Sequence, residues 1–128
     1  MPLVEGVSLR ILHQALLGEA LMGGGSAVIV SDDAGRYLAA NDAAVELLGY
    51  SREELAGLNA RDVSEKTDEQ LGEVMAMLKR ERSVESVATL RRKDGVVGRI
   101  AYMGAESVVG GLPVYITVTA PIATFEPV

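Results

Sequence analysis

The spacing of apolar residues changes several times along the chain, and each change marks an element. Leu9, Leu12, Leu16 and Ala20 recur at helical intervals, with Ile11, Leu17 and Leu21 widening the apolar surface beyond one narrow stripe, until Gly23-Gly24-Gly25 breaks the pattern. Ala27 to Val30 is then a largely β-branched run closed by Asp32-Asp33-Ala34-Gly35, and Tyr37 to Ala40 is a second short run, which predicts a strand, a turn and a strand. Asn41 precedes a helical stretch from Asp42 to Leu48; its side chain can accept a free first-turn N–H, and Gly49 supplies the stop. Ser51 and Glu54 have capping-box spacing, so a second short helix follows directly and ends at Gly57.

Thr67 and Gln70 repeat that spacing ahead of Leu71, Val74, Met75 and Leu78, which share one helical face, while Lys79, Arg80 and Arg82 sit near the negative helix end. From Val84 the pattern turns strand-like: Val87 to Arg92, a turn at Asp94-Gly95, then Val96 to Met103. The last segment, Val114 to Ala120, alternates apolar with hydroxylated residues up to Pro121 and reads as a strand wet or half-covered on one side. Helices lying between two groups of strands predict an α+β fold, with a five-stranded antiparallel sheet, short helices over one face and an N-terminal flanking helix. The expected organisation is a flanking helix and Gly-rich joint over residues 1–25, one domain over 26–121 and a tail over 122–128.

Composition narrows the chemistry. At 128 residues the chain has room for one core. Its net charge of -6 opposes binding to nucleic-acid phosphates, and the basic run Arg91-Arg92-Lys93 reads as a solvated strand end. The absence of Cys removes disulfides, thiolate metal sites, thiol nucleophiles and cysteinyl photochemistry. Glu5, Arg10, His13, Gln14 and Glu19 interrupt the apolar N-terminal stretch, so neither a secretory leader nor a membrane span is expected and the chain is read as cytoplasmic. No nucleophile, base and orienting group assemble around the single His13, and Glu53-Glu54 and Asp32-Asp33 have local explanations at a helix start and a turn. The chain is therefore expected to be neither an enzyme nor a metal protein.

Val28-Ile29-Val30-Ser31-Asp32, Gly35-Arg36, Asn41-Asp42-Ala43-Ala44 and Leu48-Gly49-Tyr50-Ser51-Arg52-Glu53-Glu54-Leu55-Ala56-Gly57 together resemble the N-terminal half of a PAS (Per-Arnt-Sim) domain. Arg91-Arg92-Lys93-Asp94-Gly95 is similar to the family's R-K-D-G turn, and Gly111-Leu112-Pro113-Val114 to its entry into the last strand. The resemblance spans roughly Ser26 to Ala120. It implies a sensory module that homodimerises and regulates an output domain or a partner protein. Relatives that feed a following helix often end in an acidic D-I-T signature; here Thr119-Ala120-Pro121-Ile122-Ala123-Thr124 stands in that place, and Pro121 prevents simple helical continuation. Output is then expected through the N-terminal helix, or through an effector beyond this fragment.

The resemblance also implies a cavity between sheet and helices, for which Leu48, Leu71, Val74, Met75, Leu78, Leu90 and Ile100 are the candidate lining. The same side chains could instead fill a closed core, which would make the chain a ligand-free interaction domain. With no His between Glu65 and Arg82 and no Cys, neither haem nor a covalent chromophore is expected; a non-covalent flavin or an apolar metabolite stays open. For the homodimer, Leu9, Leu12, Leu16 and Ala20 with Tyr115 and Thr117 are the candidate interface.

Overall fold

The computed structural model describes residues 25–128; the expected flanking helix, with His13 and the interface positions Leu9, Leu12, Leu16 and Ala20, lies outside the described residues. Strand β1 (Ser26–Ser31) pairs antiparallel with β2 (Tyr37–Ala40) through the predicted turn. There the Asp32 carboxylate accepts the N–H groups of Ala34 and Arg36, each at 2.9 Å, and Gly35 takes φ 85°. Desolvation pulls the Asp32 carboxyl up, but the Arg36 and Ala34 N–H groups and the Arg36 guanidinium outweigh it and hold the group below its ordinary value.

Helix α1 (Asp42–Leu48) starts at Asn41, whose side chain accepts from the Ala44 and Val28 N–H groups, each at 3.0 Å, and donates to Ser26 O at 3.0 Å, so one amide both caps the helix and fastens it to β1. Gly49 closes it at φ 79°. The expected capping boxes start α2 (Arg52–Leu55) and the longer covering helix, which here is α4 (Asp68–Glu81). Between them lies α3 (Ala60–Val63), which the sequence reading passed over. Its signal was present: Asn59 and Asp62 form a capping box at the same spacing as Ser51 and Glu54.

Strands β3 (Ser83–Arg91), β4 (Val97–Val109) and β5 (Leu112–Pro121) complete the sheet, in the order β2-β1-β5-β4-β3, every neighbouring pair antiparallel. The helices cover one face. There Ala43, Ala44, Leu47 and Leu48 of α1, Leu55 of α2 and Val63 of α3 pack with Ala27, Ile29, Tyr37 and Ile100. Ala27 and Ala44 are fully buried, and their small side chains let α1 approach β1 closely.

Arg91 and Lys93 are exposed at the end of β3, as expected of a solvated strand end, but the run is also tied into the fold. Arg92 donates to the carbonyl oxygens of Glu46 (3.1 Å) and Leu47, and the Lys93 N–H donates to Leu48 O at 2.9 Å, so the run satisfies the C-terminal carbonyls of α1. Lys93 Nζ also reaches Glu54 at 2.7 Å, and Arg91 reaches Glu65 at 2.6 Å. Residues 122–128 likewise turn back onto the sheet: Ile122–Thr124 forms a 3-10 turn, and β6 (Glu126–Pro127) pairs with Gly98 and Arg99 of β4. Phe125 lies so close to Gly98 that a Cβ there would sit 2.4 Å from the ring and 2.8 Å from Glu126 O.

Candidate functional site

Between α4 and the sheet lies a cavity of about 430 Å³. Its helix wall is Leu71, Val74, Met75 and Leu78, the face predicted from their spacing, and Leu47, Leu48 and Val63 close one side. Leu78 is buried while Leu71, Val74 and Met75 are half-buried, so the middle of α4 does not reach a closed core. Opposite, Gly104 presents no side chain; a Cβ there would come within 3.3 Å of Val84 Cγ1 and 3.4 Å of Leu78 Cδ2, so α4 is drawn close to the sheet at this end.

Six of the seven expected lining residues, Leu48, Leu71, Val74, Met75, Leu78 and Leu90, meet around this cavity. Ile100 does not: it is 2% exposed in the adjoining core, packed among the residues of α1 to α3. Tyr115 and Thr117, expected at a dimer interface, line the cavity instead. Alternation along β5 separates Tyr115, Thr117 and Thr119 from Val114, Ile116 and Val118, and the hydroxylated set is the one facing the helices. On the other face Ile116 and Val118 are at most 5% exposed, so of the two expectations for this strand, wet or half-covered on one side, the wet one does not hold. On that outer face Val28, Val30, Met103, Ala105, Ile116 and Val118 form a second apolar cluster, drawn, among the described residues, from the strands.

The sheet wall therefore carries hydroxyls that the sequence reading did not place. Thr119 Oγ1 accepts from the Ala27 N–H at 2.9 Å, and the Tyr115 hydroxyl donates to Glu106 Oε2 at 2.9 Å, with Arg82 Nε 3.6 Å from the same carboxylate. Burial, reinforced by Glu106, pushes the Tyr115 hydroxyl up to about 12, and burial raises Tyr102 as well. Ser31, Thr117 and Tyr102 have no side-chain partner among the described residues. Asn59, Arg61 and Lys66, from α3 and the segment after it, complete the rim with Asp33 and Asp68. The signal that would have found them was the Asn59–Asp62 capping box, which places a helix between Gly57 and Thr67.

A family model for the PAS domain matches residues 25–115. The chain belongs to the PAS domain family. Its fold agrees with a PAS domain from a two-component sensor histidine kinase at TM-score 0.68 and 17% identity, over 88% of this chain and 95% of that one. A PAS domain of an HTR-like protein from Haloarcula marismortui gives TM-score 0.68 and 17% identity over 90% and 91% of the two chains. A light-oxygen-voltage domain studied with a flavin analogue gives 0.63 and 23% over 81% and 82%. No curated protein matches the sequence.

PAS domains are in general sensory modules rather than enzymes, and in this one the cavity is the place to look for a signal. Among the described residues Asn59 is the one side-chain amide at the cavity, donating to Ala34 O (2.8 Å) and accepting from the Arg61 N–H (3.2 Å). Among the described residues no cluster of His, Cys, Asp and Glu could hold a metal ion, and no helix is long and apolar enough to cross a membrane.

Proposed function

We propose that this PAS domain is a cytoplasmic sensory module that homodimerises, binds a small apolar ligand between α4 and the sheet, and passes its occupancy to an output domain or partner protein. The cavity carries the reading: about 430 Å³ is within the range of small-molecule sites, and its helix wall is apolar and incompletely buried. The outer apolar cluster supports the second part. The half-buried Val28, Val30 and Met103 of this cluster offer apolar surface for the Leu9/Leu12/Leu16/Ala20 stripe, from the same chain or a second copy.

Native mass spectrometry of the chain and of its Leu12→Asp/Leu16→Asp variant tests both parts. The expected result is a dimer carrying a co-purified small molecule, and a monomeric variant that still carries it. A ligand-free dimer with no melting response to apolar compounds makes the chain an interaction domain only. A variant that remains dimeric moves the interface away from the N-terminal segment.

A further inference from the structure

The charges on the rim of the cavity differ in how they are used. Asp68 opens α4, where the unsatisfied N–H groups of the first turn favour a carboxylate, and it is exposed to water. Asp33 is also exposed, in the β1–β2 turn, and its field is felt at Tyr115, on the sheet side of the cavity. The cations have no comparable local role. Neither Arg61 nor Lys66 forms an ion pair or side-chain hydrogen bond with any described residue, and Lys66 is half-buried. Nearby Arg91, by contrast, holds Glu65 at 2.6 Å. With no counter-charge among the described residues, the Lys66 ammonium keeps its charge and its donors for an arriving anion, whereas Asp68 is already favoured by the first-turn N–H groups of α4. Past Lys66 and Asp68 the wall becomes apolar, with Leu71 and then, one turn on, Val74 and Met75 of α4.

We propose that the cavity selects an amphipathic organic anion, its acidic head at Lys66 and its apolar body along Leu71, Val74 and Met75. This rests on the ligand-binding reading above and adds the sign of charge and the orientation of the ligand. The half-burial of α4 then has a purpose, since the ligand's body completes the contacts that these side chains lack.

Thermal unfolding with decanoate, 1-decanol and decyltrimethylammonium, each below its micelle-forming concentration, separates head-group from tail. Decanoate should raise the melting temperature most, decanol less, and the ammonium compound not at all. In Lys66→Gln the apparent affinity for decanoate should fall about tenfold, the scale of one charge-assisted hydrogen bond, with decanol binding unchanged. Equal responses to decanoate and decanol, or a decanoate advantage that survives Lys66→Gln, would overturn the anionic assignment while leaving an apolar site in place. No response to any of the three overturns both the assignment and the ligand-binding reading.

Discussion

Leu47, Leu48, Leu55 and Val63, supplied by α1 to α3, are each at most 2% exposed, whereas α4, the longest helix among the described residues, buries Leu78 alone and holds Leu71, Val74 and Met75 over the cavity. The first group is fixed from several directions: Asn41 joins α1 to β1, Arg92 and Lys93 satisfy its last carbonyls, and Lys93 reaches Glu54 of α2. Helix α4 is held at its ends. Thr67 and Gln70 form its capping box, Arg82 closes it in the left-handed conformation at φ 70°, and Leu78 packs over Gly104. One side of the domain is thus a closed core that sets the geometry. The other is a span whose middle has few fixed contacts, and such segments open at the lowest free-energy cost.

If that contrast is real, truncation must hurt the two sides unequally. Leu55→Ala should destabilise the chain by about 2–5 kcal/mol in urea unfolding, the cost of a cavity in a closed core. Gly98→Ala comes next, at about 1–3 kcal/mol, because the added methyl must displace Phe125 or the backbone beside it; a neutral result would detach residues 122–128 from the domain's stability. Met75→Ala should cost only about 1 kcal/mol, since the side chain is incompletely buried and borders the cavity, while reducing the melting shift produced by an apolar ligand. A cost for Met75→Ala equal to that of Leu55→Ala would erase the contrast and make α4 part of the closed core.

The effect smallest at neutral pH belongs to Tyr115. Its hydroxyl is raised from 10.0 to about 12 in the folded chain, so the stability it contributes is complete below pH 10 and is lost as pH rises toward 12. Urea unfolding between pH 9 and 12 should show this decline, shallower in Tyr115→Phe. It should not vanish, because burial also raises Tyr37, with the Asp62 carboxylate adding to the effect. An unchanged slope in Tyr115→Phe would mean that the Glu106 contact at the cavity wall is not kept in solution.

Asn41, the Ser51–Glu54 and Thr67–Gln70 boxes, the Asp94-Gly95 turn and the spacing of Leu71, Val74, Met75 and Leu78 were all legible in the chain, because a cap, a turn or a helical face is settled by residues a few positions apart. The α+β class followed from their order, and so did the helix wall of the cavity. Long-range pairing had to decide the rest. Alternation along β5 sorts its residues into two sets, but which set faces α4 depends on the packing of both sheet faces, so the place of Tyr115 and Thr117 at the cavity was not legible. Ile100 lies on the helix-covered face yet belongs to the closed core, because α1 to α3 pack over it and α4 does not. Arg92 lies 46 positions from Glu46, and Gly98 meets Phe125 and Pro127 only because the chain returns along β4. No local pattern encodes such contacts; they exist once the strands have found their order, and only then do a rim carrying Lys66 and a wall of hydroxyls come together around one space.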